Sequence, residues 1–329
     1  MNVRDEVWIL ADNRPGTISQ SIGLAEEIGF DYKIINLTYS FFSSLPNCFL
    51  SKSLLRISSN CRKNFRNLDY LPRLIISAGR RSAPIALYLK EKSHNQSKVA
   101  QIMNPNLNLE KFDFVILPKH DGIDKSKLRS LDTANNLITT IGALTKINDN
   151  VIANEQKKFF LWFKNITKPK ILLLLGGSSK KTKFTAKSAA RLAKSCSDIT
   201  NNMKATLLIM NSRRSSEEVI NSVKSNLKCD FRFFDWKDVK NDNPYLAALG
   251  YADFFIISGD SVSMISECCS TGKQVYIFDE GQISSAKHRK FHQNLYDENY
   301  AKKLPKNPKI LQKFLPIKVQ DTTRVASFI

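Results

Sequence analysis

Short apolar runs recur along this chain, each closed by a polar turn and followed by a longer amphipathic stretch. EVWILAD passes through NRPG into TISQSIGLAEEIG, RLIISAG passes into SAPIALYLKEK, and YKIINL, KVAQIMNP and FDFVILP add further runs. They are rich in Val and Ile without strict alternation, as strands are when helices cover both faces of a parallel sheet. Ile18, Ile22, Leu24 and Ala25 fall near helical spacing, and Gly29 stands where a left-handed helix cap belongs. The first half therefore predicts a β/α domain.

After Thr145 the alternation pauses. INDNVIANEQKKFFLWFKNITKPK reads as a helical stretch with a Pro-containing connector. The pattern then restarts: strand KILLLLGG, helix FTAKSAARLAKSCSDIT, strand ATLLIMNS, helix SEEVINSVKSNL, strand DFRFFD, helix NPYLAALGYA, strand FFIISG, helix VSMISECCSTG, strand QVYIF. A chain of 329 residues has room for two domains of ordinary size. The expected organisation is an N-terminal β/α domain over residues 1–150, a linker over 151–169, a C-terminal β/α domain over 170–300, and a tail over 301–329 that packs back on the N-terminal domain. Two such α/β domains in succession imply a central cleft, and ligands of open parallel sheets bind beyond the carboxyl ends of the strands.

The residues at those strand ends form an unusual set. The first half offers Asp12, Arg14, Gly16, Thr17 and nearby Gln20, then Gly79, Arg80 and Arg81, then Asn104, then His120 and Asp121. The second half offers Gly176 and Gly177, then Ser212, Arg213 and Arg214, then Ser258, Gly259, Asp260, Ser261 and Ser263, with Met264 and Glu267 in the helix that follows. Gly and Ser let a backbone approach a ligand, and N–H groups at a helix start favour an anion. Paired arginines add charge-assisted, bidentate bonds to phosphate oxygens. A helix start is a poor place for cations because of the helix dipole, so GRRS and SRRS favour an anion beside them. The set describes a site for a phosphorylated, nucleotide-linked molecule. Plainer readings stand beside it: RPGT as a turn with Gly16 at positive φ, and His94, His288 and His292 as solvated surface residues. His120 follows an apolar run and adjoins Asp121, which ranks it ahead of Asp12 as general base.

Several classes are excluded. None of the six cysteines, Cys48, Cys61, Cys196, Cys229, Cys268 and Cys269, makes a C-x-x-C pair, so neither a structural zinc nor a dithiol motif is expected, and the thiols read as reduced in a cytoplasm. LGGSSKKT lacks the second Gly of a P-loop, and no G-x-G-x-x-G follows the first strand. The N-terminus is charged with too short an apolar run for a signal peptide, and ILLLL falls far short of the roughly 20 residues of a membrane span. The formal charge of +20 suits an anionic partner or a lysine-solvated surface, and with no recognisable nucleic-acid module beside it nucleic acid is not the expected partner. LLRISSNCRKNFRNLDYLPR mixes apolar and basic residues as a peripheral membrane surface does, or an ordinary amphipathic helix.

The stretches DNRPGTISQSIGLAEEIG, ISAGRRSAPIALYLK, AQIMNP, FDFVILPKHD, TIGALT, LLLLGGSSK, NSRRS, NPYLAALGYADFFIISGDSVSMISECCSTGKQVYIF and DTTRVASFI together resemble the family named after plant mitochondrial-fission "elongated mitochondria" proteins. Its bacterial members are classed as glycosyltransferases. The resemblance implies a GT-B architecture: two Rossmann-like domains, acceptor in the N-terminal half, nucleotide-sugar donor in the C-terminal half, with no obligatory metal and no cofactor. SGDSVSMISECCSTGKQVYIF is further similar in layout to the donor segment of the GT-B enzyme that adds N-acetylglucosamine to lipid-linked muramyl peptide. That similarity implies Glu267 on the ribose hydroxyls and Ser261 and Ser263 near the phosphates, with Arg213 and Arg214 stabilising the leaving nucleoside diphosphate in place of a metal. Asp260 departs from the layout, because an acid beside a diphosphate is unfavourable, and is expected to cap the helix. The implied acceptor is a cell-envelope molecule, lipid-linked or lipopolysaccharide core, at the inner face of the membrane. The alternative is an adaptor that keeps the GT-B shell, performs no chemistry and recruits a protein partner.

Overall fold

The computed structural model describes residues 2–50, 52–122, 136–238 and 242–329. They form two units, Met1–Lys146 with Gln320–Ile329, and Ile147–Val319. In the first, β1 (Asn2–Ala11), β2 (Tyr32–Asn36), β3 (Tyr70–Ala78), β4 (Lys98–Ile102), β5 (Phe114–Pro118) and β6 (Leu137–Thr140) make one parallel sheet in the order β2-β1-β3-β4-β5-β6. Val7 and Ile9 pack into the core on one face and Trp8 and Leu10 into that on the other. That two-sided burial is why β1 reads as an unbroken apolar run.

The helix Pro15–Ile28 starts with Pro at its first position and ends on Gly29, whose φ of 82° is left-handed and whose N–H reaches the Ala25 carbonyl at 3.2 Å. Gly16 lies in the first turn of that helix without positive φ, so RPGT is a helix start and not a free-standing turn. The helix Ser59–Arg66 turns Cys61 and Phe65 inward, and Leu54 and Leu71 are buried as well. The mixed segment 54–73 therefore spends most of its apolar side chains on the core. The helix Asp321–Ala326 joins this unit through Asp321, which accepts the Ile141 N–H at 2.7 Å and the Gly142 N–H at 3.2 Å, and through fully buried Val325.

In the second unit, β7 (Lys170–Leu175), β8 (Thr206–Asn211), β9 (Phe231–Phe234), β10 (Phe254–Ser258), β11 (Gln274–Phe278) and β12 (Lys302–Lys303) form a second parallel sheet in the order β12-β11-β10-β7-β8-β9. The helices Asp149–Lys158 and Phe160–Phe163 belong to it, with Tyr251 Oη donating to the Gln156 carbonyl at 2.9 Å. The helix Ala286–Asp297 carries His288 and His292, and neither is a freely solvated surface residue. His292 is 1% exposed with Nδ1 3.3 Å from Asp279 Oδ2, and His288 closes a capping box with Ser285. Burial and the neighbouring positive charges of Lys287 and Arg214 hold the His288 imidazole below its ordinary range. Among the described residues no helix is long and apolar enough to cross a membrane.

The strand orders locate the ligand-binding edges. In the first sheet the chain passes from β1 to β2 on one side and then to β3 on the other; in the second it leaves β7 for β8 and β9 and returns to β10 across β7. Crevices open beyond the carboxyl ends of strands where the winding reverses. The residues after β1 and β3, and after β7 and β10, occupy those positions.

Candidate functional site

Beyond β7 and β10 the polar residues are tied into one network around Asp260. Its carboxylate accepts the Gly177 N–H at 2.8 Å, the Ser258 hydroxyl at 2.7 Å and the Arg214 guanidinium at 2.9 Å, with the Asp260 side chain wholly covered. Burial raises the carboxyl from its ordinary value, and these three donors oppose the rise. Ser258 Oγ in turn accepts the Gly176 N–H at 2.7 Å. Both glycines are required by packing. A Cβ on Gly176 would lie 2.2 Å from Asp260 Oδ1, and one on Gly177 would lie 1.8 Å from the Arg214 carbonyl oxygen. Their N–H groups are already used inside the protein, so what they supply to a ligand site is its shape. Ser212 Oγ accepts the Arg214 N–H at 3.3 Å and keeps the turn tight, while Arg213 is exposed.

Asp260 does not cap the following helix. The cap of Val262–Cys269 is Ser261, whose Oγ accepts the Met264 N–H at 3.4 Å. Asp260 is drawn instead to Gly177 and Arg214, donors on two neighbouring loops, with Ser258 of its own strand end as the third. Ser261, Ser263, Met264 and Glu267 are half-buried. Glu267 accepts the Tyr245 hydroxyl at 2.5 Å, and burial together with the adjacent Glu267 charge raises the Tyr245 phenol well above its ordinary value. Tyr245 opens the helix Tyr245–Tyr251, whose far end is closed by Lys273: its ammonium donates to the Leu249, Gly250 and Ala252 carbonyls at 3.1, 2.5 and 2.9 Å. Tyr245 and Lys273 escaped the sequence reading, since neither belongs to a recognisable motif; the NPY at a helix start was the one available signal.

Next to this turn lies a basic pocket of 540 Å³ lined by Lys180, Lys181, Lys183 and Arg289 together with Ser284 and Ser285. Ser284 Oγ donates to the Gly259 carbonyl at 2.8 Å, which joins the pocket wall to the turn after β10. A Cβ on Gly259 would meet Ser284 Oγ at 2.6 Å. The lysines of LGGSSKKT, rejected as a P-loop, thus line a cationic concavity by a different geometry.

In the first unit Asp12 and His120 are 4% and 5% exposed. Asp12 Oδ1 accepts the Arg14 N–H at 2.9 Å and the Thr17 hydroxyl at 2.5 Å, holding the start of the helix Pro15–Ile28. His120 Nε2 stands 3.7 Å from Asp121 Oδ1, too far for a hydrogen bond. Gln20 bonds the Gly16 carbonyl within the helix at 3.1 Å, and Asn104 closes a local turn on the Asn106 N–H at 2.8 Å. Gly79 has φ of 75° and leads into Arg80 and Arg81. Arg81 lies 5.3 Å from the Tyr39 ring centroid, and burial with the nearby Asp12 charge raises the Tyr39 phenol, so Asp12, Tyr39 and Arg81 are neighbours.

Comparison with known proteins follows the same outline. Residues 15–329 match the family described as Mitochondrial fission ELM1. The Uncharacterized protein RP120 of Rickettsia prowazekii (strain Madrid E) is 30% identical over 350 aligned positions, covering 98% of this chain and 97% of that protein. Among solved structures, UDP-GlcNAc 2-epimerase from Neisseria meningitidis, bound to UDP-GlcNAc, superposes with TM-score 0.51 at 12% identity, covering 98% of this chain and 90% of the other. A glycosyltransferase from Rickettsia africae ESF-5 superposes with TM-score 0.50 at 13% identity, covering 99% and 87%. At such identities the structural likeness concerns the fold alone, two parallel-sheet α/β units of the GT-B kind. Matched from Pro15 to its last residue, the chain belongs to the Mitochondrial fission ELM1 family.

Proposed function

We propose that this protein transfers a sugar from a nucleotide-sugar donor, held by the second unit, to a cell-envelope acceptor, lipid-linked or of lipopolysaccharide-core type, held by the first. The observation that carries this reading is Glu267. An acid in the second turn of the helix beyond the switch-point strand, steadied by a half-buried tyrosine hydroxyl, supports a role in accepting ribose hydroxyls. Ser261 and Ser263 then stand near the phosphates. Arg213, Arg214 and the basic pocket supply the positive charge that grows in value as the leaving nucleoside diphosphate becomes more negative. Asp260 shapes this surface by holding Arg214 and Gly177, and this route needs neither metal nor cofactor. The acceptor hydroxyl loses its proton to Asp12 or His120, with Arg14 and Thr17 beside Asp12, and with Arg80 and Arg81 from the turn after β3, to position it. Two of the structural neighbours fit the donor class, one being an enzyme named for UDP-GlcNAc and one a glycosyltransferase.

A thermal-shift series against UDP, GDP, ADP, CMP and their sugar conjugates tests the reading, since a ligand that binds only the folded protein stabilises it by mass action. A shift with one nucleotide, lost in Glu267→Ala, supports it; no shift with any of them refutes it. The near-complete burial of both candidate bases favours a second reading, a GT-B shell without chemistry that recruits a protein partner. Full sugar transfer by Asp12→Ala and His120→Ala alike would remove the base assignment while leaving donor binding intact.

A further inference from the structure

We infer that residues 41–50 and 52–55 form a membrane-insertion surface that seats the first unit on an anionic lipid bilayer. Five large apolar side chains stand out of it: Phe41 is 93% exposed, Phe49 76%, Phe42 and Leu55 49% each, and Leu45 39%. Isolated exposed apolar residues are ordinary, but such a cluster within one segment is not. The display is built. At the base, Tyr39 and Ile57 form an antiparallel bridge and Ser40 Oγ donates to the Leu55 carbonyl at 2.8 Å. Beneath it, buried Asn47 donates to the Arg80 carbonyl at 2.8 Å and the Pro105 carbonyl at 2.5 Å, and fully buried Arg56 reaches the Arg80 and Leu45 carbonyls at 3.0 and 2.5 Å. Leu50 and Leu54 anchor the segment in the core side. Polar struts of this kind fix the backbone while the rings remain outside.

Charge identifies what the rings enter. Between Asp31 and Asp69 the sequence holds no acidic residue, while Lys33, Lys63 and Arg66 are exposed and Arg62 half-buried; Lys52 is paired with Glu91 at 3.1 Å and Arg56 is buried, so neither adds free positive charge. Apolar side chains projecting from a stretch that carries exposed basic residues and no acid of its own match a bilayer interface whose head groups are negative and whose acyl region needs no preformed pocket. The inference rests on no part of the sugar-transfer reading.

The test is co-sedimentation of the full chain with sucrose-loaded vesicles of phosphatidylcholine, with and without phosphatidylglycerol. The chain should pellet with the phosphatidylglycerol vesicles, release as salt rises, and bind at least about tenfold more weakly as Phe41→Ser/Phe49→Ser, the loss expected for two rings withdrawn from an apolar phase. Both rings are exposed, so the melting temperature should not move. A wild-type chain that stays in the supernatant overturns the inference, as does a double variant that binds equally well. Concentration-dependent self-association abolished by the same variant, without vesicle binding, would assign the surface to a second copy and overturn it too. As an independent measurement, Phe41→Trp should gain blue-shifted emission on vesicle addition and be quenched by brominated acyl chains; unchanged emission argues against insertion.

Discussion

Tyr245 is the residue whose replacement separates positioning from binding. Tyr245→Phe keeps the half-buried ring and removes the hydroxyl that holds Glu267. The loss of one hydrogen bond to a charged group costs about 1.5–3 kcal/mol of stability, and nucleotide affinity should fall by about tenfold, a loss of about 1.4 kcal/mol; titration calorimetry against the nucleotide found by the thermal screen measures it. Gly177 is a purely steric case. Gly177→Ala puts a methyl 1.8 Å from the Arg214 carbonyl and should destabilise the second unit by about 3 kcal/mol, read from denaturant midpoints. Asp113 predicts an acid dependence. Burial alone would raise its carboxyl, but bonds from Lys90 at 2.6 Å, the Val99 N–H at 2.9 Å and nearby Lys98 outweigh burial and hold it below the ordinary carboxylate range. A group whose folded value is depressed stabilises the fold above its unfolded value and loses that contribution as pH falls through the folded one. Asp113→Asn should therefore flatten the acid limb of stability against pH. Almost none of this residue-level detail is legible in the sequence, because it depends on which donor of a distant loop reaches which acceptor: Asp260 has the composition of a cap and the geometry of a strut.

At the scale of the element, most helices and strands announce themselves. The strand runs and the helix ending at Gly29 follow the apolar spacing, because a residue buried from both sides must be apolar and a left-handed cap must be Gly or nearly so. β6 and β12 are exceptions: the four residues of β6, Leu137–Thr140, carry two threonines and too short a period to stand out, and β12 is two exposed lysines. The helix Tyr245–Tyr251 shows what else a local pattern omits. Its last carbonyls are satisfied by Lys273 from the turn before β11, an ammonium whose own value is lowered by burial. Lys273→Met should cost about 3 kcal/mol through those orphaned acceptors, and should weaken nucleotide binding too, since the same helix carries Tyr245. Hydrogen exchange across residues 245–251 would report the loosening; unchanged protection would refute it.

For the whole molecule, the last residues have an assigned place. The helix Asp321–Ala326 lies with the first unit through Asp321 and Val325, whereas the chain up to Val319 belongs to the second. Deleting residues 320–329 should lower the melting temperature of the first unit and leave the nucleotide-dependent shift of the second unchanged. By itself, the sequence determined that the chain makes two α/β units with parallel sheets, and it marked the polar strand ends as the places to look, because burial and turn geometry act on neighbouring residues. Tertiary structure alone decided which of those residues remain available to a ligand. Gly176, Gly177, Asp12 and Asp260 are engaged inside the protein, Arg213 is exposed and Glu267 half-buried, and lysines dismissed as a failed motif line a pocket. It also moved the apolar surface from the amphipathic stretch 54–73 to Phe41, Phe42 and Phe49. The physical reason is the same throughout: local spacing sets what must be buried, while hydrogen bonds and packing between residues far apart in the chain set what is left over.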